Sequence, residues 1–515
     1  VSDYAQIIAG LAQPEAYPHP VDRFAHIETH ASHVFLVGDL AYKLKKPVNL
    51  GFLDFGTLQR RRYFCEEELR LNRRLAPDTY LGVVAITGTP AAPRVGGDGE
   101  ALEYAVKMRR FPQNALLTRR RVTPDIVDRI ADRVAAFHEV IPIAAPESGH
   151  GRPQSVLAPM LENLAVLHKC PAAAQEAECL SALEAWTLAR FPGLTGLIEH
   201  RRLTGRVREC HGDLHRGNIA EVSGQLIIFD GIEFDPDLRW IDTINEVAFF
   251  AMDLAQGGAP ELAQRFLNRY LERNGDYEGV ALLDLYRVYR ATVRAKVTAI
   301  RLSQPGLEAN EVLHHRRELR RYLALTDDFT GEHPRRLILT HGRSGSGKTH
   351  LCVILRERLR AIHIRSDIER KRLFGLPPEA RAAAAVEGGI YRPEATDRTY
   401  ARLLNLARAV LTGGWSVLVD ATFLRYSQRT PFLALAEELG VPVTVLCLHA
   451  PEAVLRARVA KRIAEGCDAS DADVTILAAQ SAVRQPLTQE EGAYAIQVYT
   501  HPAPDLDDLL RQLID

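Results

Sequence analysis

Between the apolar run RLILTH and a helix-like stretch, the chain reads Gly342-Arg343-Ser344-Gly345-Ser346-Gly347-Lys348-Thr349. This is G-x-x-x-x-G-K-T, and it restricts the fold more than any other feature of the 515 residues. Glycines let successive backbone N–H groups turn inward around an anion, and the helix that follows adds its positive N-terminal end. The loop works only where a strand delivers it and a helix leaves it, so this context is expected here. AIHI, WSVLVD and VPVTVLCLH are further short apolar runs separated by helical stretches. Strands alternating with helices predict a parallel sheet covered on both faces, an αβα sandwich. In such a loop Lys348 reaches the β/γ-phosphates of ATP and the Thr349 hydroxyl ligates Mg²⁺.

The same segment supplies candidate acids and bases. Asp367, in RSDIER, follows the second apolar run and sits where a parallel sheet binds its ligand; it is either the acceptor of a hydroxyl proton or a helix N-cap. Asp420 closes WSVLVD and suits the Mg²⁺ shell. Arg456, Arg458, Lys461 and Arg462 crowd one predicted helix. They are a solvated basic face, or a lid on which Arg458 and Arg462 neutralise a transferring phosphoryl group.

The polar stretch TDDFTGEHPRR (326–336) marks a boundary, giving domains 1–330 and 331–515. Within 20–112, VFLVGDLAYKL reads as a hairpin turning at Gly38-Asp39, and LGVVAITG with ALEYAVKMRRF as a second, joined by TPAAPRVGGDG. TLQRRRYFCEEELRLNRRLA is helical in pattern, with Phe64, Glu68, Leu71 and Leu75 on one face. Residues 113–325 are mostly helical around a strand-rich island near 207–236.

That island holds His211-Gly212-Asp213-Leu214-His215-Arg216-Gly217-Asn218, which fits H-x-D-L-x-x-x-N. Asp213 can accept a proton from an attacking hydroxyl, and Asn218, five residues on, can hold Mg²⁺. QLIIFD then ends in Asp230, where a metal-binding acid belongs, although Asp230-Gly231-Ile232-Glu233 replaces the usual Phe-Gly. Upstream, Leu40-Ala41-Tyr42-Lys43 mirrors V-A-I-K. Lys45 shares the face of Lys43 and is its alternative. Glu68 is the candidate to orient the lysine, and Glu67 the runner-up. IETHASHVFLVGD lacks G-x-G-x-x-G, leaving Thr29 and Ser32 as the polar groups over the phosphates.

HGDLHRGN, IIFDGIEF and the AYK strand resemble the aminoglycoside phosphotransferase and choline kinase branch over roughly 20–325. That resemblance implies the two-lobed protein-kinase-like fold and a small-molecule hydroxyl as acceptor. GRSGSGKT, IRSDIERKRLFG, LVDATFLRYSQR and LRARVAKR resemble the small P-loop kinases, a group that includes gluconate kinase, polynucleotide 5′-kinases and zeta-type toxins, over most of 335–515. The whole is similar to bacterial two-domain proteins that join these two parts.

Composition narrows the partners. Hydrophobic residues at 46% and charged ones at 25% match folded globular domains. The 64 Lys+Arg against 65 Asp+Glu leave a net charge of −1, so bulk attraction to nucleic acid or anionic lipid is not expected, though a nucleic-acid acceptor for the second domain stays open. No apolar run spans a bilayer, VSDYAQIIAG shows no signal-peptide pattern, and seven scattered cysteines without C-x-x-C fit reduced thiols in a cytoplasm. The leading expectation is a bifunctional phosphotransferase using ATP and Mg²⁺ on small-molecule hydroxyls. The alternatives are a nucleotide-dependent regulatory module controlling its neighbour, or a toxin-type or polynucleotide kinase restrained by the first domain.

Overall fold

The computed structural model describes residues 3–49, 53–378, 380, 390, 392–465 and 474–514. The chain forms two compact units. Unit 1 comprises Val1–Gly257 and Tyr289–Arg320; unit 2 comprises Gly258–Val288 and Arg321–Asp515.

Unit 1 opens with α1 (Asp3–Gly10) and the strands β1 (Phe24–Glu28), β2 (Ser32–Val37) and β3 (Leu40–Lys45). The β2–β3 hairpin turns at Gly38-Asp39, where Gly38 adopts φ 55°, as the sequence predicts. Helix α2 (Leu58–Asn72) starts at Thr57, whose hydroxyl accepts from the Arg60 N–H. Strands β4 (Tyr80–Thr89), β5 (Ala92–Val95) and β6 (Glu103–Arg109) complete an antiparallel sheet of order β1-β2-β3-β6-β4-β5. β5 lies inside the stretch expected to be only a connecting loop: it pairs with β4 on one side, and β6 returns to pair with β4 on the other, so β4 is the central strand of the three. Two apolar clusters hold this lobe. Ile7, Leu11 and Tyr17 cover Phe35, Val37, Tyr42 and Leu44. On the other face Cys65 of α2 packs with Tyr80 and Val106, and Ile227 and Phe229 join them.

The remainder of unit 1 is largely helical: α3 (Pro124–Val140), α4 (Pro153–Lys169), α5 (Ala177–Arg190) and α6 (Thr195–Leu203), then β7 (Val207–Glu209), β8 (Ile219–Val222), β9 (Gln225–Ile228), α7 (Pro236–Arg239), β10 (Trp240–Asp242) and α8 (Thr243–Gln256). α8 is buried from Thr243 to Leu254 and forms the floor beneath the loop after β7. β8 and β9 make a tight antiparallel hairpin that sets the position of Asp230.

Helix α9 (Pro260–Asn274) begins on a proline, whose missing N–H costs nothing at a helix start, and stops at Gly275 in the left-handed region, φ 73°. The helices α10 (Leu283–Leu302) and α11 (Ala309–Thr330) follow. The second sheet is wholly parallel, built from β11 (Leu337–His341), β12 (Ala361–Arg365), β13 (Ser416–Asp420), β14 (Val443–His449) and β15 (Ala495–Tyr499) in the order β12-β13-β11-β14-β15. Its helices are α12 (Lys348–Arg358), α13 (Ser366–Leu373), α14 (Pro393–Thr412), α15 (Tyr426–Leu439), α16 (Glu452–Glu465), α17 (Val474–Val483), α18 (Gln489–Gly492) and α19 (Leu506–Ile514). β11 and β13 are buried at every residue, which explains why they read as continuous apolar runs rather than alternating ones. Ile338, Leu418 and Leu446 pack with Leu351, Leu355 and Leu513, each fully buried side chain contributing about 1.5–3 kcal/mol. Mixed α/β architecture, with a P-loop αβα sandwich in unit 2, is the result.

Candidate active sites

In unit 1 the sheet lobe delivers two lysines. Alternation along β3 puts Lys43 and Lys45 on one face, and both reach Glu68 of α2. Lys43 Nζ lies 2.9 Å from Glu68 Oε1, and Lys45 Nζ donates to Glu68 Oε2 at 2.7 Å. Lys43 Nζ also donates to Asp230 Oδ1 at 2.6 Å, and Lys45 pairs with Glu233. The two lysines therefore differ in their second partner: Lys43 faces the candidate metal acid, and Lys45 is fully buried behind it. Burial disfavours the charge on Glu68, but the two ammonium groups outweigh it and hold its pKa at about 2. Burial pushes Glu233 above the ordinary carboxylate range, with Lys45 working against the rise. Burial likewise opposes the charge on Lys43, yet Asp230 and Glu68 raise its pKa. Glu67 is engaged elsewhere, with Arg70 at 2.8 Å.

The loop after β7 carries the second set. Asn218 Nδ2 donates to Asp213 Oδ2 at 2.9 Å and to Asp213 O at 3.0 Å, and His215 Nε2 lies 3.2 Å from the same Oδ2. Burial would raise the Asp213 pKa, but His215, Arg294 and His211 hold it below its ordinary value. His211 Nε2 donates to Phe229 O at 2.9 Å and the Ile232 N–H donates to His211 O at 3.0 Å, tying the Asp213 loop to the Asp230 loop. Asp230 sits at φ 61°, a left-handed conformation that costs a non-glycine residue about 1 kcal/mol or more and concentrates at functional sites. The Gly231 N–H is held by Asn72 Oδ1 at 2.8 Å.

Several residues that shape this site were not read from the sequence. Glu246 of α8 accepts the Gly212 N–H at 2.6 Å and lies 2.7 Å from His138 Nε2, while Arg290 donates to Gly212 O at 3.0 Å. Glu209 accepts from Arg70 at 2.7 Å, fastening α2 to β7. These partners are 34 to 139 positions apart in the chain, so no local pattern announces them. Thr29 and Ser32 close the β1–β2 turn on each other, with the Ser32 N–H donating to Thr29 Oγ1 at 3.0 Å.

In unit 2 the glycine loop leaves β11 and enters α12. Gly345 and Gly347 have φ of 80° and 90°, and a Cβ on Gly345 would stand 2.7 Å from Leu455 O. Lys348 Nζ donates to Arg343 O at 2.9 Å, and burial lowers its pKa despite Asp420 and Asp367 nearby. Ser346 Oγ is buried with no hydrogen-bond partner among the described residues. Thr349 Oγ1 donates to Asp420 Oδ2 at 2.7 Å. Burial opposes the Asp420 charge, but His363 and Lys348 hold its pKa at about 2. Gln480 of α17 accepts the Ser344 N–H at 2.8 Å.

Lys348, Thr349, Asp367, Asp420, Arg458 and Arg462 line one cavity of 530 Å³. Asp367 is the second residue of α13, and Arg365 holds the N-cap position. Arg458 Nη1 and Nη2 bind the Gly345 carbonyl at 3.2 Å and the Thr500 carbonyl at 2.7 Å, so it braces the loop itself. The oxygen-rich sets Thr349/Asp420 and Asn218/Asp230 suit a hard cation such as Mg²⁺.

Among the described residues no helix is long and apolar enough to cross a membrane. A family model described as "Phosphotransferase enzyme family" matches residues 60–283, and one described as "AAA domain" matches residues 337–487. An uncharacterized protein of Mycobacterium tuberculosis is 30% identical over 475 residues, 91% of this chain and 92% of that one, and its Mycobacterium bovis counterpart matches equally. Among solved structures, an amicoumacin kinase in complex with AMP-PNP and Ca²⁺ is 15% identical, with a TM-score of 0.39, covering 63% of this chain and 94% of that one. A gluconokinase from Sinorhizobium meliloti is 20% identical, with a TM-score of 0.25, covering 35% and 89%.

Proposed function

Since the chain belongs to the family of these mycobacterial proteins and carries two kinase-like domains, we propose that it is a bifunctional ATP-dependent phosphotransferase, each domain acting on a hydroxyl of a small molecule. The observation that carries this reading is that each unit sets a candidate base beside a candidate ATP·Mg²⁺-binding group. Asp213 stands with Asn218 in one, and Asp367 shares a cavity with Lys348 in the other. A module that only binds nucleotide needs the lysine and the glycine loop but has no use for such a base.

In unit 1, Lys43 would hold the α/β-phosphates, with Glu68 keeping the ammonium in place. Asp213 would take the proton of the acceptor hydroxyl as its oxygen bonds to the γ-phosphorus and the bond to the β,γ-bridging oxygen breaks, releasing ADP. In unit 2, Lys348 and Arg462 would neutralise charge on the moving phosphoryl group while Asp367 takes the proton. Asn218 and Asp230 in one unit, and Thr349 and Asp420 in the other, would hold Mg²⁺, which neutralises phosphate charge when bound. With positioned groups the work is orientation and electrostatics rather than covalent chemistry. The test is incubation of the full chain with γ-labelled ATP and a metabolite extract, followed by mass spectrometry. Labelled phosphomonoesters are expected, and label released only as inorganic phosphate would refute the reading.

A further inference from the structure

Gln264, Asn268 and Glu272 lie one turn apart along α9 and form a polar stripe, yet they are only 4%, 1% and 7% exposed. Such buried polar groups are almost always hydrogen-bonded. Asn268 and Glu272 find their partners in unit 2. β12 is the edge of the parallel sheet, so its outer N–H and C=O groups have no neighbouring strand. Asn268 Nδ2 donates to Ala361 O at 3.1 Å, and Asn268 Oδ1 accepts the His363 N–H at 2.7 Å. One side-chain amide thus does for β12 what a peptide group of a missing strand would do. Glu272 Oε1 lies 3.2 Å from Arg365 Nη1 at the end of β12, and its Oε2 lies 3.9 Å from Arg356 Nη1.

Arg356 carries the contact onward. Its Nη1 donates to His363 Nδ1 at 3.4 Å. A guanidinium has only donors, so Nδ1 offers the lone pair and Nε2 bears the proton. That Nε2 lies 3.4 Å from Asp420 Oδ2, within ion-pair reach though outside hydrogen-bond geometry, and the same oxygen accepts from Thr349. A continuous set of buried contacts therefore runs from α9 to the acid at the end of β13. The stripe belongs to residues matched by the phosphotransferase family model, which ends at 283, but α9 belongs to compact unit 2, which takes in Gly258–Val288.

We propose that α9 is a positioning element of the P-loop site: Asn268 and Glu272 fix β12 and Arg356, and His363 in turn orients Asp420 toward Thr349. A stretch of sequence with the phosphotransferase signature thereby completes the neighbouring kinase-like fold, and a fragment starting near residue 331 would lack this support. The inference rests on reading unit 2 as a Mg²⁺·ATP site.

The experiment uses the full chain and a readout local to the P-loop. Hydrogen-exchange protection of peptides covering 337–352 is titrated with ATP, once in excess Mg²⁺ and once in EDTA, and the nucleotide-free melting temperature is recorded. His363→Leu and Asn268→Ala should lower the Mg²⁺-dependent gain in ATP affinity by about 10–100-fold, the usual effect of removing a group that orients a metal ligand. Affinity in EDTA should stay near that of the unaltered chain. His363→Gln keeps a polar N–H facing Asp420 and should retain most of the gain. An unchanged gain in both His363→Leu and Asn268→Ala, or an equal loss with and without Mg²⁺, would overturn the proposal. If ATP fails to protect the P-loop in the unaltered chain, the nucleotide-site reading itself falls.

Discussion

In unit 1 the cations and acids of the site are largely paired with one another, whereas in unit 2 they line a cavity behind a glycine loop. Lys43, Lys45, Glu68, Asp230 and Glu233 form one ionic lattice, buried at Lys45, Glu68 and Glu233 and half-exposed at Asp230. The glycine loop instead relies on backbone geometry, with Lys348 resting on its own loop carbonyl and Ser346 Oγ without a hydrogen-bond partner among the described residues. The difference teaches that a side-chain lattice couples the site to folding, because the charges of Lys45, Glu68 and Glu233 are taken out of water and compensated by one another. A backbone cradle separates the two, because the peptide groups are placed by a strand, a turn and a helix that fold regardless.

Mutations can break this contrast. The largest effect is expected from Asp213→Asn, which keeps the shape but cannot accept the hydroxyl proton. Transfer at unit 1 should fall by about 10²–10⁴-fold with ATP binding retained, and equal loss of ATP affinity would contradict the role. Next, Lys348→Ala should lower transfer at unit 2 by about 10²–10³-fold and abolish most ATP-induced thermal stabilisation, with the nucleotide-free melting temperature nearly unchanged. Glu68→Ala should do the reverse. It removes the carboxylate shared by two ammonium groups, leaving Lys43 only Asp230 and Lys45 only Glu233 of this lattice, and should cost about 1.5–3 kcal/mol of stability, measured by urea denaturation. A Glu68→Ala chain as stable as the unaltered one would erase the contrast between the sites.

The smallest effect is in acid. Glu68 has its pKa lowered from 4.5 to about 2 in the folded chain. Its contribution to stability is therefore present above pH 4.5 and is lost as the pH falls from there toward 2. The melting-temperature difference between the unaltered chain and Glu68→Gln should shrink over that window and stay constant above it. A difference that grows in acid would mean that Glu68 is not held ionised by the lysines.

The motifs that could be read in the sequence are short and covalently contiguous. The strand before GRSGSGKT and the helix after it follow from apolar pattern and glycine placement, and HGDLHRGN places Asp213 and Asn218 five residues apart in one loop. Alternation brought Lys43 and Lys45 to the same face but could not choose between them; the structure shows both on Glu68, differing only in Asp230 against Glu233. β5 was hidden because its residues APRV sit among Gly and Pro, which read as loop when the pairing partner β4 is not considered. The role of α9 was hidden for another reason. Gln264, Asn268 and Glu272 look like a solvated helix face, and the strand that buries them lies more than 90 residues downstream. Their i, i+4, i+8 spacing was visible, but only the fold supplies the partners.

The most direct test of two separate phosphoryl-transfer sites is a comparison of labelled products from γ-labelled ATP and a metabolite extract. The unaltered chain, Asp213→Asn, Lys348→Ala and the double variant are analysed side by side. Each single variant should lose a distinct subset of the labelled phosphomonoesters, and the double variant should lose them all. If either single variant loses every product, or the double variant retains them, the chain does not hold two independent phosphotransferase sites.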